Sequence, residues 1–163
     1  MKIGIAGKGG QGIVYLGRLL GRVGMDMGLY TAVTSSYGAE VRGGSVLTNV
    51  VFDEKEIVNP YIEEYDYIII LDSIGWSKVS IKGNEHITAD KVLAWNEKYR
   101  DKVDWRDFDR YSHKLNLPIN MIVAGYLARL NIISYDILVN AIRKGGRDIE
   151  RNLKAVEIGY KEV

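Results

Sequence analysis

A cluster of four glycines within six residues, Gly7-Lys8-Gly9-Gly10-Gln11-Gly12, follows directly on an isoleucine-rich run from Lys2 to Ala6. Glycine lets a chain turn sharply and lets backbone approach backbone. Just downstream, Ile13, Leu16, Leu20 and Val23 recur at helical spacing and mark one apolar face. Gly28 closes that helix, and Leu29 to Thr34 reads as a second strand. Strand, glycine turn, helix, strand is the opening unit of a parallel α/β sheet, which restricts the chain to a few layered folds.

Beyond Ser35-Ser36 lies a second turn-rich segment, Tyr37-Gly38-Ala39-Glu40-Val41-Arg42-Gly43-Gly44. A β-branched run from Val46 to Phe52 follows, then a polar turn at Asp53-Glu54-Lys55 and Ile57-Val58 just past it. A hairpin between these two runs would make the sheet mixed. Tyr67 to Leu71 is continuously apolar, the pattern of a strand buried on both faces, and Asp72-Ser73 marks its end. The stretch from Trp76 to Arg110 holds all three tryptophans (Trp76, Trp95, Trp105) on a charged background, with Val92-Leu93-Ala94 as a candidate last strand. Pro118 fits a helix start, with Ile119, Ile122, Val123, Tyr126, Leu127 and Leu130 at helical spacing. Ser134 is the N-cap expected for a helix from Tyr135 to Arg143 that ends at Gly145-Gly146. Ile149, Leu153, Val156 and Tyr160 stripe a final one. The expectation is one domain over residues 1–163, a three-layer α/β/α Rossmann-like fold with a mostly parallel sheet and C-terminal helices.

Several kinds of chemistry are excluded by composition. The 163 residues contain no cysteine, which removes thiolate nucleophiles, cluster ligation and cysteine zinc sites. His86 and His113 stand in no metal-ligand spacing, and neither His113 nor Asp72-Ser73 has companions suggesting a triad. No catalytic and no metal residue is assigned. Lys and Arg number 22 against 21 acids, a formal charge of +1, with no basic stripe of the kind that binds nucleic acid. The longest uninterrupted apolar stretch, Ile68 to Leu71, is far short of the roughly 20 residues that cross a bilayer. Met1 runs straight into the first strand, and the reading is a cytoplasmic protein.

Gly7, Gly9 and Gly12 match the spacing of the dinucleotide-binding fingerprint, in the strand–turn–helix setting that it needs. Exposed amides at a helix start favour negative charge, so the loop suits a phosphate. NAD fits less well. Its ribose is usually held by an acid about 20 residues further on, at the end of the second strand. That strand here ends Val33-Thr34-Ser35-Ser36, and the first acid is Glu40. The serines and Arg42 leave an NADP-type site open. A stand-alone NAD(P)-binding protein is one alternative; glycines that serve only helix–sheet packing are another.

Gly7-Lys8-Gly9-Gly10-Gln11-Gly12 resembles the G-x-G-G-Q-G signature of the gamma subunits of 2-oxoacid:ferredoxin oxidoreductases. The Tyr37–Gly44 segment is similar to that family's Y-G-x-E-x-R-G-G motif. Asn120-Met121 through Tyr126-Leu127-Ala128, with Asn152 to Tyr160, looks like its C-terminal helices. The resemblance implies a non-catalytic subunit of an enzyme that decarboxylates a 2-oxoacid on thiamine diphosphate with magnesium. In such an enzyme electrons pass through iron–sulfur clusters to ferredoxin, and coenzyme A takes the acyl group. The chain itself would hold none of these cofactors. They would sit on alpha and beta partner subunits, with a delta subunit as a further candidate. The second motif leans toward 2-oxoglutarate or branched-chain types. The site residues so implied are Gly7, Gly9, Gly10, Gln11, Gly12, Tyr37, Glu40, Arg42, Gly43 and Gly44, with an Arg42–Glu40 ion pair as the competing structural role. Residues 76–117 are left without a role.

Overall fold

The computed structural model describes residues 1–39, 43–79, 81–82, 85–90, 100–145 and 147–163. Among them, six strands form one sheet in the order β2-β3-β1-β4-β5-β6. The strands are β1 (Lys2–Lys8), β2 (Tyr30–Tyr37), β3 (Ser45–Asp53), β4 (Tyr67–Ile70), β5 (His86–Ala89) and β6 (Val103–Trp105). Strands β1, β4, β5 and β6 pair in parallel, whereas β3 is antiparallel to both of its neighbours, β1 and β2. Five of the six strands therefore run one way, and β3 alone runs against them.

Side chains alternate across the sheet, so each strand feeds two cores. Ile3, Ile5, Val50, Phe52, Ile69 and Leu71 enter the larger core beside helices α1 (Ile13–Asp26), α4 (Ile119–Arg129), α5 (Tyr135–Gly145) and α6 (Ile149–Lys161). Ala6, Leu47, Ile68, Ile70, Ile87 and Ala89 face the other way. That side is covered by Tyr65, Trp76, Val79 and Ile81 around a single-turn helix, α2 (Ser73–Trp76). The layers are α/β/α, and they are unequal. Each isoleucine or leucine taken fully from water contributes about 1.5–3 kcal/mol, so most of the stabilisation comes from the α1/α4/α5/α6 side.

Helix α4 is the centre of that layer: ten of its eleven residues, Ile119 to Ala128, are buried. It lies against α6 with almost no side chain between them. A Cβ on Gly125 would meet the Val156 carbonyl oxygen, and one on Gly159 would meet the Ile122 carbonyl oxygen. The buried face of α6 is therefore Ala155, Val156 and Gly159, while Tyr160, expected in the stripe, is 38% exposed. Small residues set this helix pair because they let the backbones touch.

Other expectations shift for local reasons. Ile57-Val58 forms no strand, and Val58 is 93% exposed. Both edges of β3 are already taken by β1 and β2, so the hairpin is β2–β3 instead. Strand β2 runs three residues past Thr34, to Tyr37. Residues 76–117 supply β5, a 3₁₀ turn (Arg100–Lys102), β6 and helix α3 (Phe108–Leu115). Strands of four and three residues are too short to leave a periodic signal. Pro118 and Ser134 stand at helix starts as expected, Ser134 Oγ accepting from Ile137 N at 3.4 Å. The Val92–Ala94 strand, Trp95 and Gly146 lie outside the described residues.

Candidate functional site

The carboxyl ends of β1, β2, β4 and β5 all open on one edge of the sheet, where α/β proteins bind ligands. Both glycine-rich loops are there. Gly9 N donates to Gly44 O at 2.9 Å, and Gly43, at φ +67°, lies beside the aliphatic stem of Lys8. The two loops thus form one continuous surface, carrying Gly9, Gly10, Gly12, Tyr37, Gly43 and Gly44, with Gly7 buried in β1 beneath it. Tyr37 is 63% exposed at its rim. Glu40 and Arg42 lie outside the described residues.

The sheet order changes direction at β1: the chain goes to one side for β2 and β3 and to the other for β4. The crevice between the ends of β1 and β4 is the usual dinucleotide position in such sheets. Here it is filled. Gln11 Oε1 accepts from Lys8 N at 2.7 Å, and Gln11 Nε2 donates to Leu71 O at 3.2 Å, so the amide straps the β1 turn to the end of β4. From the opposite face α2 presses its backbone onto β1. A Cβ on Gly75 would stand on Gly7 N and within 2.7 Å of the Ala6 carbonyl carbon. Asp72 caps that turn, accepting from Ile74 N at 3.0 Å. The Asp72-Ser73 pair is explained as a helix cap.

Gly12 ends the turn in the left-handed region (φ +74°) and caps α1 without a side-chain bond. Its carbonyl accepts from Asn120 Nδ2 at 3.2 Å, while Asn120 Oδ1 takes the Met121 amide at 3.0 Å. A buried asparagine on α4 therefore fixes the glycine turn from below. Sequence reasoning did not assign Asn120 or Gly75 to this site; a lone polar residue among apolar ones at a helix start was the available signal for the first. Beside the turn, on the helix side, an open cleft of about 360 Å³ is bounded by Gly10, Gly12, Asp109, His113, Leu117 and Asn120. The cleft opens next to the start of α1, whose own first turn carries no acid, and Asp109 places a carboxylate on its wall.

A second observation bears on nucleotide binding. In dinucleotide folds the second strand lies directly beside the first and carries the ribose-binding acid. Here β3 is inserted between them, which moves the end of β2 one strand, about 4.8 Å, further from the turn. The crevice of an NAD site is filled, and among the described residues no acid stands at the end of β2. Among the described residues, no group of three or more His, Asp or Glu could hold a metal ion.

Fold and site together define a mostly parallel α/β domain whose glycine turn is braced from inside and presents its outer surface, with a second glycine loop, at the carboxyl edge. The pyruvate ferredoxin/flavodoxin oxidoreductase family matches residues 2–162, and the chain belongs to that family. It is 30% identical over 174 residues to 2-oxoglutarate synthase subunit KorC of Methanocaldococcus jannaschii, covering 98% of this chain and 92% of that protein. KorC of Archaeoglobus fulgidus is 28% identical over 165 residues, covering 99% and 87%. The gamma subunit of a keto/oxoacid ferredoxin oxidoreductase from Geobacter sulfurreducens has the same fold, with a TM-score of 0.77 at 19% identity over 98% of this chain and 96% of that one. A 2-oxoglutarate:ferredoxin oxidoreductase chain from Magnetococcus marinus gives a TM-score of 0.82 at 21% identity, over 98% of this chain and 30% of that one. The gamma-type resemblance of the sequence is thereby met.

Proposed function

We propose that this chain is the gamma-type subunit of a 2-oxoacid:ferredoxin oxidoreductase, of the 2-oxoglutarate type, and that it acts by assembly and positioning. The observation that carries the reading is the family match over residues 2–162 in a chain without a single cysteine. Iron–sulfur clusters of the usual ligation need cysteine thiolates, so electron transfer to ferredoxin falls to other subunits. Thiamine diphosphate and magnesium fall to alpha- and beta-type partners, and coenzyme A is the acyl acceptor. A cytoplasmic location follows from that chemistry.

The carboxyl-edge surface is the part that meets those partners. Gln11 and Asn120 hold the turn rigid; the amides of Lys8, Gly9 and Gln11 are already bonded, so those of Gly10 and Gly12 are what the loop has left to offer. An anionic ligand group or a partner carbonyl is what such a surface accepts. Arg42 adds a planar, always-charged fork to the second motif, with Glu40 two residues before it in the sequence. We place this surface near the coenzyme A and thiamine diphosphate pocket of the complex.

The test is co-purification from the source cell of a tagged chain, then of its Arg42→Ala variant. The wild type brings down larger subunits bearing thiamine diphosphate and clusters, and the variant does so more weakly or loses the coenzyme A-dependent half-reaction. Oxidoreductase turnover by the isolated chain would refute the assignment.

A further inference from the structure

Among the described residues strand β2 forms one edge of the sheet, paired with β3 on one side only. Tyr30-Thr31-Ala32-Val33-Thr34-Ser35-Ser36-Tyr37 contains no charge and no proline, the devices by which exposed edges avoid pairing. The pairing with β3 identifies which backbone groups are free. Gly38 N donates to Ser45 O at 2.7 Å, so the 38/45 pair is hydrogen-bonded, and with it, by alternation, 36/47, 34/49, 32/51 and 30/53. The N–H and C=O groups of Thr31, Val33, Ser35 and Tyr37 then point outward. No amide of these four finds a hydrogen-bond acceptor among the described residues. Of the four carbonyls, only that of Tyr37 meets a donor, Lys78 Nζ at a long 3.5 Å.

We propose that this edge pairs with the same edge of a second copy, antiparallel, about a two-fold axis through Thr34. One register uses every free group: Thr31 opposite Tyr37 of the second copy, and Val33 opposite Ser35, each pair twice. Those four pairs exchange eight backbone hydrogen bonds and join two sheets into one. The side chains fit the register. On the α1 face Thr31 meets Tyr37 and Val33 meets Ser35; on the other face Ala32 meets Ser36, and Tyr30 lies over Gly38, which has no side chain of its own. Thr34 meets Thr34 at the axis, and no like charges oppose each other.

Charge also favours the antiparallel arrangement. Lys78 reaches the Tyr37 end of the edge, and Asp53, paired with Tyr30, marks the other end. An antiparallel copy brings the Lys78 end of one chain to the Asp53 end of the other, two strand spacings (roughly 10 Å) apart, on both sides of the axis. The pairing rests on β2 alone and is independent of the proposed function.

The absence of cysteine makes a clean test available in the full chain. Thr34→Cys places one thiol per chain at the axis, in a non-hydrogen-bonded pair whose Cα atoms lie about 4.5 Å apart, within disulfide reach. Thr31→Cys is the control, since its copy lies six residues away along the strands, roughly 20 Å. Under mild oxidation T34C forms a reducible dimer and T31C does not. Wild-type chain sediments as a dimer, and Thr34→Lys, which sets two ammonium groups face to face, weakens the association at least about tenfold. A wild-type monomer at all concentrations overturns the proposal, as does equal cross-linking of T34C and T31C. Protection of the T34C thiol only when larger subunits are added also overturns it, since a partner strand then occupies the edge.

Discussion

Adding one methyl group to the α4–α6 contact should destabilise the protein more than helix propensity stabilises it. A Cβ at Gly125 would stand 2.8 Å from the Val156 carbonyl carbon and closer still to its oxygen, and a Cβ at Gly159 would stand 2.8 Å from the Ile122 carbonyl carbon. Favourable carbon contacts begin near 3.5 Å, so the two helices must separate. The obstacle is backbone, which cannot rotate away, and α4 is buried along ten residues, so separation opens the core on its other sides. Overpacking of this kind costs about 1–3 kcal/mol, and with backbone as the obstacle the upper end applies. Replacing a helical glycine by alanine returns about 1 kcal/mol. The net loss for Gly125→Ala or Gly159→Ala is about 2 kcal/mol, a fall in Tm of roughly 4–8 °C for a chain of this size. Urea denaturation should show a lower midpoint with an unchanged slope. The double variant should be less than additive, since the helices need separate only once. Gly145→Ala is the control: among the described residues its Cβ would meet only the Tyr15 hydroxyl, at 3.8 Å, and stability should stay within about 0.5 kcal/mol. A Gly125→Ala protein as stable as wild type would refute the close packing of α4 on α6.

Gln11→Ala removes both hydrogen bonds that strap the glycine turn to β4; a loss of about 1–2 kcal/mol is expected, with faster amide exchange at Lys8, which equal exchange in both proteins would contradict. Burial, together with the hydrogen bond to Asp104 (2.5 Å), raises the Tyr126 hydroxyl above its ordinary value. Below that value the group is neutral in both folded and unfolded chains and its contribution is complete. Above about pH 10 the unfolded chain ionises first, so stability falls as pH rises. Tyr65, raised by burial and by Glu85, acts in the same direction. Denaturation midpoints between about pH 9 and about pH 11 should fall less steeply in Tyr126→Phe than in wild type, and identical slopes would contradict the assignment.

The strand–turn–helix opening, the apolar run from Tyr67 and the C-terminal helices were legible because each is local. A glycine turn, a β-branched run and a 3.6-residue stripe all have their cause within a dozen residues. The two signature loops were legible as motifs, and their places at strand ends implied one edge. Tertiary structure alone decided the rest. The place of β3 between β1 and β2 depends on long-range pairing, which leaves no mark in either strand. β5 and β6 are four and three residues long and are strands only because β4 offers an edge to β5 and β5 in turn to β6. Gln11 read as a candidate for binding, and its amide proved to be spent on Lys8 and Leu71. Asn120 and Gly75 took on a role only when α4 and α2 were brought against β1 from its two faces. Sequence determined which segments are strands, turns and helices, because those preferences are set by neighbours in the chain. Which crevice is filled and which edge stays open is set by contacts between residues far apart in the chain, and only the folded molecule brings those together.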